Sequence, residues 1–136
     1  MAASAASTES VQLTDDPCGL VLASEAQAAV GQPVTQGRNR TVCTYTASGN
    51  GGHLAVETLS PPFCQLLLSA LKANMFAGDQ VRVDDLGDGG MLVKGNGSLQ
   101  FTSHGGCVSI EVNRGDSHPT DDVMLGLGRA AAGRVV

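Results

Sequence analysis

The residues of this chain with the greatest capacity for chemistry are its four cysteines and three histidines. His104 and Cys107 form an H-x-x-C pair, and His53 and Cys64 add further ligand types for zinc, or a thiol nucleophile with an imidazole base. The spacing matches no recognised zinc pattern, because the chain has no C-x-x-C pair. The sequence therefore predicts no metal site, no cofactor and no catalytic residue. A hydrolase or transferase that uses Cys64 or Cys107 with a histidine is kept as an alternative.

An acidic, glycine-containing stretch at residues 84–89 has the look of a calcium-binding loop. Its third position is Leu86 and its twelfth is Gly95, where an EF-hand loop requires an oxygen ligand and a glutamate. The stretch therefore predicts a charged turn between two strands.

The tripeptide Arg114-Gly115-Asp116 lies in a predicted exposed loop between the last strand and the last helix. This is where an integrin-binding motif would need to be, although a motif this short also arises by chance. The three residues define a candidate interaction loop, and a surface antigen or adhesin that uses this loop is an alternative function.

The composition excludes several classes of function. The chain has 136 residues, of which 42% are hydrophobic and 3% aromatic, and its formal net charge is −5. This length is typical of a single domain with a hydrophobic core. Acidity and scarce aromatic residues argue against a nucleic-acid-binding protein. No apolar run is long enough to predict a transmembrane segment.

The element that must position these residues is a predicted antiparallel meander at residues 80–115. Its four strands are expected at 81–85, 91–94, 99–103 and 107–113. In the last strand Val108, Ile110 and Val112 alternate with polar residues, which predicts one buried and one solvated face. Two-residue hairpin turns are predicted at the dipeptides that begin at Asn96 and Gly105.

Two further strands and three helices complete the predicted architecture. The strands are expected at 40–47 and 53–59, and the helices at 23–30, 60–74 and 120–136. Ser24 is the predicted N-cap of the first helix, and Thr120 or Asp121 caps the last one. The order α-β-β-α-β-β-β-β-α predicts an α+β fold, in which helices cover a single antiparallel sheet made of the meander and the two N-terminal strands. Residues 1–15 are predicted to be a disordered lead, and residues 16–136 a single α+β domain.

Several short segments resemble a group of small exported bacterial proteins. The segments are Asp16-Pro17-Cys18, Gly31-Gln32-Pro33-Val34, Cys43-Thr44-Tyr45, Leu86-Gly87-Asp88 and the alanine-rich last helix. Together they are similar to the lipoprotein-like and sensor-type domains known as DUF3558 and LpqN-like proteins, whose fold is similar to that of the photosystem-associated PsbP proteins. The resemblance implies a secreted or anchored module that binds or senses, and it carries over no catalytic residue.

The four cysteines are predicted to form two disulfides, because an even number without a C-x-x-C pair is typical of an exported protein. Four cysteines allow three connectivities, and the sequence alone does not choose among them. The first predicted helix lies between Cys18 and Cys43, and the resemblance places cysteines at matching positions, so we pair these two and leave Cys64 with Cys107. By strict alternation Cys107 lies on the polar face, so this second pairing requires a bulge at residues 105–106 or a helix near that face.

These observations favour a non-enzymatic exported or cell-envelope module that binds a small ligand or a protein partner. Its expected location is periplasmic, cell-surface or secreted, with the signal peptide absent from this chain. The alternative is a cytosolic protein with four reduced, buried cysteines.

Overall fold

A computed structural model of the chain describes residues 17–39, 41–49, 51–59, 64 and 80–135. These residues form one seven-stranded antiparallel sheet and two α-helices. The strands are β1 Val34–Asn39, β2 Val42–Ala47, β3 His53–Leu59, β4 Gln80–Val83, β5 Gly89–Val93, β6 Ser98–Ser103 and β7 Gly106–Asn113, and the helices are α1 Ala23–Val30 and α2 Asp121–Arg134. The spatial order is β1-β2-β3-β7-β6-β5-β4. The predicted α+β class with a single antiparallel sheet is confirmed.

Strand β1 is a departure from the sequence-based prediction, which began the sheet at residue 40. β1 pairs with β2 along its whole length, from Val34 opposite Ala47 to Asn39 opposite Val42. It is an edge strand, and an edge strand can keep polar side chains in solvent on both faces. The polar composition of residues 34–39 therefore concealed it. The predicted helix at 60–74, apart from Cys64, and the predicted lead at 1–15 lie outside the described residues.

The hydrophobic core lies between the two helices and one face of the sheet, which we call the helix face. The strands contribute Tyr45, Leu54, Val56, Leu92, Leu99, Phe101, Val108, Ile110 and Val112 to this cluster. The helices contribute Ala26, Ala29, Val30, Met124, Leu127 and Ala131. The alternation predicted for β7 is thus confirmed. None of the helices in the described part of the chain is long and apolar enough to span a membrane.

Helix α2 lies close to the sheet because Gly128 has no side chain. A Cβ atom at Gly128 would lie 3.0 Å from side-chain carbons of both Leu86 and Leu99. The same construction at Gly126 or Gly133 meets no atom within 4 Å. Gly128 is therefore the one of these three glycines that allows the close approach. The packing that it permits offsets its cost in the helix, which is about 1 kcal/mol relative to alanine.

The two helices begin with different kinds of cap. Helix α1 begins after Leu22 rather than at the predicted cap Ser24, which lies inside the helix. Glu25 accepts a hydrogen bond from the backbone N–H of Leu22 at 2.9 Å, so a side chain from the first turn satisfies this donor. Gly31, at a φ of 87°, ends α1. Thr120 caps α2, as one of the two predicted residues.

Both predicted hairpin turns are present, but neither is formed by the predicted dipeptide alone. β6 and β7 are joined by His104 and Gly105, because Gly106 already belongs to β7. His104 has a φ of 52°, which is uncommon for a residue other than glycine. Its backbone N–H donates to a carboxylate oxygen of Asp88 at 3.1 Å, which helps to hold this conformation. A four-residue loop, 94–97, joins β5 to β6.

An ion pair joins the end of the last helix to the start of the first. Two guanidinium nitrogens of Arg134 lie 2.7 and 3.0 Å from the two carboxylate oxygens of Glu25. Arg134 also donates to the backbone oxygen of Leu20 at 2.9 Å. The hydrogen bond from Arg134 lowers the pKa of Glu25, although desolvation by burial opposes the shift. Bidentate geometry makes such a pair stronger than a typical surface ion pair.

We expect Glu25→Gln to destabilise the domain by about 1–2 kcal/mol at pH 7, because two charge-assisted hydrogen bonds are weakened. Since the folded-state pKa of Glu25 is lowered, its carboxylate stabilises the native state above pH 4.5, the ordinary value for this group. That contribution disappears as the pH falls through the folded-state pKa. Urea unfolding of wild type and variant should therefore show a gap that shrinks in acid. Glu57→Gln, on the face of the sheet opposite the two helices, is the control. A stability gap between wild type and Glu25→Gln that is equally large at pH 7 and in acid would contradict the prediction.

Candidate functional site

The face of the sheet opposite the two helices carries polar side chains, and we call it the polar face. Its polar residues on the central strands are Thr44, Thr46, His53, Glu57, Ser98, Gln100, Thr102, Ser109, Glu111 and Asn113. The strand register aligns Gln100, Ser109 and Glu57 in one row across β6, β7 and β3. In the neighbouring row of the same face, the ladder places Glu111 of β7 between Ser98 and Ala55.

A disulfide joins Cys64 to Cys107 on the polar face. Cys107 stands opposite Leu59 in one ladder and Thr102 in the other, and it is 1% exposed. The ladder between β6 and β7 runs without interruption through Gly106, so no bulge turns Cys107 to the other face. Cys64 is helical, and the bond holds it at the polar face. The sequence allowed this pairing either with a bulge at residues 105–106 or with a helix near the polar face. The structure has no such bulge, and its Cys64 is helical.

The second disulfide joins the N-terminal turn to β2. Cys18 lies in the short 3-10 turn Pro17–Gly19 and is bonded to Cys43, with the two Cα atoms 5.1 Å apart. Next to it the hydroxyl of Tyr45 donates to the backbone oxygen of Val21 at 2.6 Å. The N-terminal segment is therefore fixed to the sheet by a covalent bond, in the predicted pairing, and by a buried hydrogen bond.

The disulfides determine what the cysteines can do chemically. All four cysteines are bonded, so neither Cys64 nor Cys107 carries a thiol. A nucleophilic cysteine acts as its thiolate, which a disulfide sulfur does not provide. The structure therefore gives the alternative of a cysteine-dependent hydrolase or transferase no nucleophile.

The three histidines lie in three different parts of the fold. His53, at the start of β3, has its Nε2 atom 3.9 Å from a carboxylate oxygen of Glu111. His104 is exposed in the turn between β6 and β7. His118 has its Nδ1 atom 3.5 Å from the backbone oxygen of Val112. Among the described residues, His, Cys, Asp and Glu side chains form no group of three that could hold a metal ion.

The candidate interaction loop, Arg114-Gly115-Asp116, follows β7 as predicted. Gly115 has a φ of 99°, and its N–H donates to the side-chain oxygen of Asn113 at 2.6 Å. The Nε atom of Arg114 donates to the backbone oxygen of Ala29 at 2.8 Å, which holds this half-buried side chain against α1. Asp116 is exposed. The use of this loop by an antigen or adhesin stays a prediction.

The acidic stretch at 84–89 forms a turn between β4 and β5, as predicted. A carboxylate oxygen of Asp85 lies 3.3 Å from a guanidinium nitrogen of Arg129 in α2. Asp88 accepts the hydrogen bond from His104. These carboxylates therefore bind different parts of the protein rather than converging on one point.

Two glutamines of the polar face carry a feature that sequence reasoning missed. The side-chain oxygens of Gln80 and Gln100 are buried and accept no hydrogen bond in the described part of the structure. The amide nitrogen of Gln100 does donate, to the hydroxyl of Ser98 at 3.2 Å. A buried acceptor without a donor costs about 1–3 kcal/mol. Alternation along a strand shows which face a side chain occupies, but it does not show that the polar face is covered at these two positions.

Comparison of the chain with models of known protein families, with curated proteins and with solved structures gives no match. The resemblance to DUF3558 and LpqN-like proteins therefore stays a prediction. Any role of the polar face must therefore be inferred from the positions of its own side chains.

Proposed function

We propose that this domain is a non-enzymatic exported or cell-envelope module that binds a small ligand or a protein partner. The observation that supports this proposal most strongly is the presence of two disulfides. Disulfides form and persist in the oxidising environment outside the cytosol. One bond fixes the N-terminal turn to β2 and the other reaches Cys107 on the polar face, so both faces of the sheet are stabilised covalently. Such crosslinking suits a domain that must present a binding surface outside the cell.

The polar face is the surface that this module offers to a ligand. The helix face is filled by the hydrophobic core, so its strand side chains are not available for binding. On the polar face Ser109 stands opposite Glu57, and both residues are partly exposed, so this end of the row offers a hydroxyl and a carboxylate, whereas the side-chain oxygen of Gln100 at the other end is buried. These groups suit a ligand with several hydrogen-bond donors, such as a hydroxyl-rich or amino-bearing component of the cell envelope.

The compartment is tested by the oxidation state of the protein in its native cells. After rapid alkylation without a reductant, mass spectrometry should find all four cysteines unmodified, and after reduction all four should react. The protein should also fractionate with the envelope or the culture medium. Four alkylated thiols in the unreduced sample would contradict the proposal.

Binding is tested by retention of an envelope component from a periplasmic or cell-wall extract. The immobilised wild-type domain should retain material that Ser109→Lys loses, because the longer charged side chain obstructs the centre of the row. Ala28→Lys, at an exposed position of α1, is the matched control and should retain the same material as wild type. Retention by all three proteins alike, or by none, would remove the assigned binding surface.

A further inference from the structure

Strand β4 lies at one end of the sheet in the part of the chain that the structure describes. It is the terminal strand, and β5 is its only neighbour among the described strands. Val81 of β4 exposes 40% of its surface, whereas Leu92, its partner in β5, is 3% exposed. Helix α2 packs on β5 and β6, which explains the burial of Leu92. An open edge with an exposed β-branched side chain is a template for a further strand.

We propose that β4 pairs antiparallel with β4 of a second copy of this chain, so that two seven-stranded sheets form one continuous sheet. The pair is related by a two-fold axis perpendicular to the sheet, which leaves the helix faces of both copies on the same side. Residues opposite each other must then point to the same face. The axis must therefore lie midway between one residue of β4 and the same residue of the partner strand, so that residues of the same parity stand opposite each other.

One register satisfies the remaining conditions. An axis at Gln80 or Val83, the two ends of the strand, would leave only one residue of β4 opposite a β4 residue of the partner, whereas an axis at Val81 or Arg82 pairs three. An axis at Arg82 would place two guanidinium groups directly opposite each other, and like charges in this position are destabilising. An axis at Val81 places the two exposed valines together, and a β-branched pair across strands is favourable.

The same register brings a donor towards a side-chain oxygen that accepts no hydrogen bond from the described residues. It places Gln80, whose side-chain oxygen accepts no hydrogen bond in the described structure, opposite the partner's Arg82. The Arg82 side chain is 79% exposed, and its nearest carboxylate oxygen, from Asp84, is 3.9 Å away. A rotation of the Gln80 amide would bring its buried oxygen to this exposed guanidinium group, which would add a hydrogen bond to its 3.9 Å contact with Asp84. Because of the two-fold symmetry the contact occurs twice, and this complementarity favours a second copy over an unrelated strand.

Val81→Cys tests the register. Opposite residues of an antiparallel pair have Cα atoms about 4.5–5.5 Å apart, within the range of about 4.4–6.8 Å that a disulfide bridges. Val81→Cys should therefore oxidise to a covalent dimer whose linkage is found by peptide mapping. Arg82→Cys is the matched control, since position 82 faces position 80 of the partner, and it should crosslink at least about 10-fold more slowly. Equal crosslinking of the two variants, or none in either, would overturn the proposal.

Sedimentation equilibrium measures the association of the unmodified chain. The wild type should shift from monomer to dimer mass as its concentration rises, and Val81→Lys should dimerise at least about 10-fold more weakly. Thr35→Lys, on the opposite edge strand β1, should dimerise as the wild type does, and circular dichroism shows whether each variant is folded. A wild type that stays monomeric, or a folded Val81→Lys that dimerises equally well, would overturn the proposal.

Discussion

Replacement of both Cys64 and Cys107 by alanine is expected to lower the free energy of unfolding by about 4 kcal/mol. The bond closes a loop of 43 residues, for which the chain-entropy model gives about this value. Both sulfurs are buried, and neither cysteine belongs to the hydrophobic cluster of the helix face. The double replacement therefore leaves the core on the helix face unchanged, and this core does not offset the loss of the disulfide on the polar face. Urea unfolding of the oxidised wild type and the double variant measures the difference.

The double replacement of Cys18 and Cys43 is the matched control. Its loop of 25 residues gives about 3.5 kcal/mol in the same model, so both variants are destabilised. The location of the effect should differ, because the hydroxyl of Tyr45 still holds the N-terminal segment through Val21. Hydrogen exchange should accelerate at the start of β7 only when Cys107 is replaced. A loss below about 1 kcal/mol for the Cys64 and Cys107 pair would contradict the first prediction.

Gly97→Ala is expected to destabilise the domain by about 3 kcal/mol. Gly97 has a φ of 63°, where a residue with a Cβ atom is strained. The added carbon would also overlap the backbone oxygen of Val112 and would lie 3.2 Å from the Nδ1 atom of His118. The loop cannot move away easily, because the oxygen of Gly97 accepts a hydrogen bond from the N–H of Val112 at 2.7 Å. Strain and overlap therefore add to each other.

Gly95→Ala in the same loop separates these two contributions. Gly95 has a φ of 71°, but a Cβ atom there would meet nothing within 4 Å. This variant should lose only the left-handed backbone contribution, about 1 kcal/mol. Thermal or urea unfolding of both variants gives the difference, which should be about 2 kcal/mol. Equal destabilisation would mean that the overlap with Val112 is relieved by a movement of the loop.

The sequence predicted the elements in which apolar and polar residues alternate strongly. In β7, Val108, Ile110 and Val112 defined both the strand and its buried face, and the structure confirms them. Strand β1 was missed because its side chains, such as Thr35 and Gln36, remain exposed and show no alternation. An edge strand is stabilised mainly by backbone pairing, and backbone pairing leaves little trace in the sequence.

The features that were placed wrongly depend on contacts between distant parts of the chain. The turn before β7 was assigned to its glycines, whereas His104 adopts a positive φ with the help of Asp88, which is remote in the sequence. For Cys107, alternation gave the correct face, but this face is solvated in a simple two-layer sandwich. In the structure Cys107 is buried there and bonded to Cys64, and the sequence offered this bond only as one of three pairings. The open edge at Val81 likewise depends on the order of the strands in space.

The meeting of β3 and β7 at the centre of the sheet has a kinetic consequence. Every other pair of neighbouring strands is consecutive along the chain, so each half of the sheet can form through local hairpins. The junction of the halves requires residues that are distant in sequence, and folding slows as such contacts increase. The bond at Cys107 lies beside the last pair of this junction, Leu59 opposite Cys107. Once oxidised, the unfolded chain already holds the two halves near each other, so the bond shortens the search for the native pairing as well as stabilising its product.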